Sequence, residues 1–182
     1  MKLAQCIILD LLKDYDPVPI LPETCDFHFS GVQLLDQDNP TDDPSILYIG
    51  TTTQISSFDT EKLKDFCIIC IGKKEDVSSY IENYQANLIL IPENHSLASV
   101  VNTLYTGFHR ILRWDAELQN AILSKQNYQS LFSIGGRFFG KNVMLMVNSS
   151  YNVIGANLLE APGHEKLDFI LKNGYYSKDL TD

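Results

Sequence analysis

The run "FCIICIG", residues 66–72, decides the fold. Its apolar residues are continuous instead of alternating, which is how a strand reads when both faces of its sheet are covered. Two runs of the same kind flank it, "SILYIG" at 45–50 and "NLILIP" at 87–92. Between them stand "SSFDTEKLKD" and "KEDVSSYIENYQ", each reading as a short helix with a Ser or Asp cap. Strand, helix, strand, helix, strand predicts a parallel sheet with right-handed crossovers. The expected fold class is therefore α/β, with a βαβαβ domain over residues 1–95.

Cys67 and Cys70 match C-x-x-C within this run. On a strand, residues three apart point to opposite faces, so the two sulfurs cannot share a metal or close a disulfide easily. No second pair and no nearby His completes a zinc set. Small buried hydrophobes are the expected role. With Cys6 and Cys25 the chain has four cysteines, too few for a disulfide scaffold at this length.

Working towards the N-terminus, "FHFSGVQLL" (27–35) alternates in two frames that change at Gly31, as a bulged strand would. "DPVPILPETC" (16–25) carries three prolines and reads as an ordered, irregular connector. Leu3, Ile7, Ile8, Leu11, Leu12 and Tyr15 recur at helical spacing, predicting an amphipathic helix over 2–15. Asp10 interrupts its apolar stretch and no small-residue cleavage site follows, so a folded helix is expected there and not a signal peptide. The Asp-rich loop at 36–45 fails as a calcium site: its fifth position is Pro40, its sixth Thr41 and its twelfth Leu47.

Towards the C-terminus, Leu97, Val101, Leu104, Phe108, Ile111, Leu118 and Ile122 follow a 4-3-4-3 spacing that Asp115 interrupts once. A connecting helix is expected over 96–126, with Trp114 near the end of the first half of its seam. Leu104, Phe108, Ile111, Leu118 and Ile122 are the candidate dimer interface, the alternative being a core face against the first domain. Residues 127–182 form the third segment. In it, "YQSLFSIGGRFFGKN" reads as a short helix ending at Gly135-Gly136, and "MLMVNSSYNVIGAN" (144–157) as a hairpin turning at Asn148-Ser149-Ser150. A helix from about His164 to Lys172 follows, capped by Asn173-Gly174. A two-stranded hairpin is marginal alone, so it looks like the first hairpin of a larger sheet, and the chain like the front part of a longer protein.

The net charge is −9, from 23 acidic and 14 basic residues. A face that grips a phosphate backbone or an anionic membrane needs the opposite sign. No apolar run approaches the ~18 residues that span a bilayer, and a cytoplasmic location is expected. "GGRFFG" lacks the spacing and the Lys-Ser/Thr end of a phosphate loop. His28, His95, His109 and His164 lie on different elements, none at metal-ligand spacing, and no G-x-S-x-G elbow occurs. No metal, cofactor or catalytic group is expected.

Fold physics singles out the carboxyl edge of the parallel sheet, where ligands bind in open α/β folds. Thr51 and Thr52, Lys73 and Lys74, and Asn94 and His95 follow the three strands. Together they could hold a small anion through hydroxyls, ammonium groups and helix N-termini.

The whole chain resembles the N-terminal region of PucR-like (purine-catabolism-regulator type) bacterial transcription regulators. The residues that carry the resemblance are "FSGVQLL" before an Asp/Pro-rich loop and "LYIGT", "NLILIPE" leading into the long helix, and Trp114 within "RILRWDAELQNAIL". They continue in "MLMVNSSYNVIGAN", similar to the opening hairpin of a GAF- or PAS-like sensor, and in "LDFILKNGYYSKDL". The resemblance implies a sensory region that answers a small-molecule effector, forms a homodimer and catalyses nothing itself. It also implies that DNA is contacted only through a C-terminal helix-turn-helix absent from these 182 residues. Two other classes fit the residues: a stand-alone acidic interaction module, and a small α/β enzyme acting on an anionic substrate.

Overall fold

The computed structural model describes residues 2–20, 27–36, 43–56, 66–78, 87–139, 144–158 and 162–175. It is of the α/β class, as the apolar runs predict. The chain divides into two compact units, Met1–Arg110 and Ile111–Asp182.

The first unit is built on a five-stranded sheet. Three of its strands are the apolar runs: β5 (Ile46–Thr51), β6 (Cys67–Ile71) and β7 (Asn87–Ile91). With β4 (Gly31–Leu34) they are parallel, and β2 (Val18–Ile20) closes the far edge antiparallel to β7, in the order β2-β7-β6-β5-β4. Every residue of β6 is 6% exposed or less. Ile68 and Cys70 point to one face with Tyr48, Leu88, Leu90 and Leu35, where they meet Ile55 and Val77. Ile55 belongs to α2 (Thr52–Ser56) and Val77 to the helical residues 74–78. Leu47, Ile49, Cys67, Ile69, Ile89 and Ile91 alternate to the opposite face and are fully buried too. The rest of the two expected crossover helices, 57–65 and 79–85, and the loop at 37–42 lie outside the described residues.

Three expectations for the N-terminal region are corrected. Residues 2–15 are not one helix: β1 (Leu3–Ala4) pairs antiparallel with β3 (His28–Phe29), α1 covers Gln5–Leu11, and a 3-10 turn covers Lys13–Tyr15. The apolar spacing survives this change because Leu3, Ile8 and Leu12 are still buried, at 2%, 0% and 0% exposure. "FHFSGVQLL" is not one bulged strand either. β3 pairs with β1, β4 pairs with β5, and the chain passes between the two sheets at Ser30, whose N–H donates to the Ser45 carbonyl at 2.8 Å. The two alternation frames are therefore two strands in two sheets. Within the proline connector, Val18-Pro19-Ile20 forms an edge strand, a position in a sheet where a residue without an N–H is tolerated.

The helix α3 (Leu97–Leu123) has 27 residues, or about 40 Å. The Ser96 hydroxyl accepts the N–H of Ser99 at 3.1 Å and caps its first turn. Its other end closes with Gln126 N–H on the Ala121 carbonyl and Lys125 N–H on the Ile122 carbonyl, with Lys125 at φ 52. This is the paired-bond stop that glycine usually makes.

In the second unit, α4 (Tyr128–Phe139) packs along the hairpin of β8 (Leu145–Val147) and β9 (Val153–Ala156), and α5 (Glu165–Asn173) also contacts β9. The expected helix end at Gly135-Gly136 is wrong, because α4 runs through both glycines. They serve close approach: a Cβ on Gly136 would lie 2.7 Å from the Cβ of Asn157, and one on Gly135 3.1 Å from Cε of Met144. The Gln129 side chain does for β9 what a neighbouring strand would. Its Nε2 donates to the Ala156 carbonyl at 2.7 Å, and its Oε1 accepts the Ala156 N–H at 3.2 Å. Further along the same edge, Val153 N–H donates to the Gly174 carbonyl at 2.8 Å. Gly174 takes the left-handed conformation (φ 72) that stops α5, as the Asn-Gly pair predicts.

Gly136→Ala tests the close approach. Overpacking of this kind costs about 1–3 kcal/mol and outweighs the ~1 kcal/mol that Ala gains in a helix. Trp114, the single tryptophan, stacks on Phe138 at 4.5 Å within the same unit, so urea unfolding followed by its fluorescence reads the loss directly. A midpoint equal to or above that of the wild type would refute the packing account.

Candidate functional site

The carboxyl edge of the sheet is set by strand register. Thr51 pairs with Ile71 and Ile71 with Ile91, so the loops that follow the three strands start level with one another. The six predicted residues are thereby neighbours, yet they do not share one pocket. A cavity of about 270 Å³ at this edge is lined by Lys73, Lys74, Glu75, Glu93, Val18 and Leu90, among others. Only the two lysines of the predicted set line it.

Local bonding explains where the others go. The Thr51 N–H and hydroxyl both donate to Oε1 of Gln54, at 2.9 and 3.2 Å, and Gln54 Nε2 reaches the Leu35 carbonyl at 3.3 Å. Thr51 thus shapes the turn from β5 into α2. Thr52 lies directly over Gly72, at a position where any Cβ would collide with its methyl group. Asn94 is exposed in the turn after β7. The His95 ring stands edge-on to Tyr15 at 5.0 Å, and the Tyr15 hydroxyl donates to the Ser99 carbonyl at 3.2 Å and lies 2.8 Å from the Thr103 hydroxyl. His95 therefore helps seat the start of α3 on the segment after α1.

The charges in the cavity nearly cancel. Lys73 Nζ is 3.3 Å from Glu93 Oε1 with both side chains more than half exposed, a pair worth ~0–1 kcal/mol. Two lysines face two glutamates, so the field for an anion is weak. The topology is unfavourable too. The crossovers after β5 and β6 leave towards the same face, where Ile55 and Val77 meet, whereas the usual crevice opens where successive connections diverge to opposite faces.

Cys67 and Cys70 are both free thiols and both buried. Burial, with Asp76 adding to it, pushes the Cys70 thiol up to about 12. Neither the thiolate that would attack nor the thiolate that would bind a metal is accessible. Among the described residues, no group of three His, Cys, Asp or Glu is placed to hold a metal ion, and no helix is long and apolar enough to cross a membrane.

The candidate dimer residues divide by burial. Leu104, Phe108 and Ile111 are 0%, 5% and 5% exposed within the single chain, Leu118 is half-buried, and Ile122 is 62% exposed. The first three are core residues of the chain itself, which leaves Ile122 as the seam residue best exposed to a second copy.

A different cavity, about 670 Å³, lies in the second unit between the end of α3 and α4. Sequence reasoning missed it because its charged residues, Glu117 and Arg137, are on separate helices with no local spacing to link them. Comparison with models of known protein families, with curated proteins and with solved structures finds no match to this chain.

Charge and burial each lead to a measurable outcome. Inorganic phosphate should raise the melting temperature more in Glu93→Gln than in the wild type, since the substitution frees Lys73; an equal response would show that the lysines do not hold anions. In a Cys25→Ser background, Cys6 alone should react with a thiol reagent in the native protein, with Cys67 and Cys70 reacting only on unfolding. Native-state labelling of Cys70 would contradict its burial.

Proposed function

We propose that the chain is the sensory and regulatory region of a PucR-like bacterial transcriptional regulator. It answers a small effector, acts as a cytoplasmic homodimer and catalyses nothing. DNA contact falls to a helix-turn-helix outside these residues.

The observation that supports this reading is the order of elements. An α/β unit leads into an unbroken 27-residue helix, and the chain then forms a helix, an antiparallel hairpin and a further helix. This is the order that the sequence resemblance implies for such a region, with the hairpin opening a PAS- or GAF-like module. The net charge of −9 agrees with DNA contact made elsewhere. In the mechanism proposed, effector binding favours one arrangement of helices over another and shifts the dimer between states by its differential affinity.

Light scattering tests the dimer. The expected mass is twice the 20.6 kDa of the chain, and Ile122→Asp should return it to the monomer value with Trp114 fluorescence unchanged. Phe108→Asp is the wrong probe, since a charge at a 5%-exposed core position unfolds the unit instead of only separating the copies. A monomer at every concentration would remove dimerisation from the proposal.

A further inference from the structure

We propose that the groove between α3 and α4 binds a small zwitterion of the carboxamide amino-acid type, with its carboxylate on Arg137 and its ammonium group on Glu117. The inference is independent of the sheet edge and holds whether or not the chain regulates transcription.

The volume, about 670 Å³, lies within the ~300–1,000 Å³ typical of small-molecule sites. Its floor is apolar and fixed, since Ala121 on α3 is 1% exposed and Ile134 on α4 is 8% exposed. Across one end, Arg137 Nη2 donates to Glu117 Oε2 at 2.8 Å. The remaining polar groups of the lining are neutral amides and hydroxyls. Several of these are already committed. Asn127 accepts the Ser130 N–H at 2.9 Å and caps α4, Gln129 is bound to Ala156, and the Ser133 hydroxyl donates to the Gln129 carbonyl at 2.9 Å. Asn120 and Gln126 contribute the other side-chain amides to the lining.

The balance of charge selects the ligand class. A simple anion takes Arg137 and leaves Glu117 with Arg113 alone, and a simple cation takes Glu117 and strips Arg137 of its carboxylate. A ligand that carries both charges replaces each partner at once. The exchange costs little, because an exposed pair is worth only ~0–1 kcal/mol. The Glu117 side chain is also held from its other oxygen, where Arg113 Nε donates to Oε1 at 3.1 Å, so the carboxylate stays in position when Arg137 turns to the ligand. The charge-assisted bonds that form are the stronger kind, and the guanidinium fork matches a carboxylate. Asn120 and Gln126 then face the ligand's side chain, and paired amides satisfy a carboxamide through one N–H and one carbonyl each.

The test is a titration of the isotopically labelled full chain with L-glutamine, followed by amide chemical shifts. The expected result is saturable shifts confined to residues 117–137. N-acetyl-L-glutamine lacks the ammonium group and L-glutamine methyl ester lacks the carboxylate, and each should bind about tenfold or more weakly, as loss of one charge-assisted contact implies. Glu117→Gln and Arg137→Gln should weaken L-glutamine by a similar factor, with Trp114 fluorescence and spectral dispersion unchanged to show that both variants are folded. Absence of saturable shifts at these amides overturns the proposal, as does equal affinity for the blocked analogues. Shifts centred on residues 72–75 and 90–93 would overturn it as well, while lending support to an effector at the sheet edge.

Discussion

Burial of β6 on both faces is the constraint from which the rest of the first unit follows. A strand in that position can carry no group that needs water, so its five residues are Cys, Ile, Ile, Cys and Ile, all at or below 6% exposure. Its backbone groups must then be satisfied by neighbours on each side, which requires β5 and β7 in register along its length. Those neighbours are themselves covered, so the apolar pattern spreads to three strands. Parallel pairing in turn requires crossovers long enough to return the chain to the starting edge. One constraint thus accounts for the composition, the pairing and the helices, and for the inertness of two thiols whose spacing resembles that of a metal or redox site.

How much could be read in advance depended on whether the cause was local. The three continuous apolar runs, the extent of α3 and the Asn173-Gly174 stop are written in neighbouring residues, and the sequence reading places them correctly. The glycines of α4 are different. Gly135 and Gly136 read as a helix end because glycine usually marks one, but they are there for Met144 and Asn157, residues that approach only in the folded unit. The same holds for the sheet change at Ser30, since two alternating frames look alike whether a strand bulges or passes to a second sheet. The candidate site was legible only as a row of loops. Register does place Thr51, Lys73 and His95 at the same edge, but side-chain contacts with Gln54, Glu93 and Tyr15 decide what each residue is free to do. Glu117 and Arg137 had no sequence signal at all.

The second unit replaces strand pairing with side-chain chemistry. In the hairpin β8–β9, one edge of β9 is satisfied by the amide of Gln129 and by the carbonyl of Gly174. A carboxamide offers the same donor and acceptor as a peptide group, so a helix can stand beside a strand edge without leaving it bare. Gly155 makes this approach feasible by leaving room for the Phe132 ring, which a Cβ would meet at 2.5 Å. The groove of the unit has part of its floor, Ile134, on the same helix, and Gln129, which holds α4 against the hairpin, also lines it.

The position of β2 in the chain has a consequence for synthesis. Strands β4 to β7 join the sheet in the order in which they are made, each beside the one before it. β2 is made before all of them and pairs with the last, Val18 opposite Leu90. A nascent chain must therefore carry this segment unpaired until its final partner leaves the ribosome. Pro17 and Pro19 remove two N–H groups from it during that wait, which makes it a poor template for any strand that arrives too soon. The first strand of this sheet to be translated is the last to be placed.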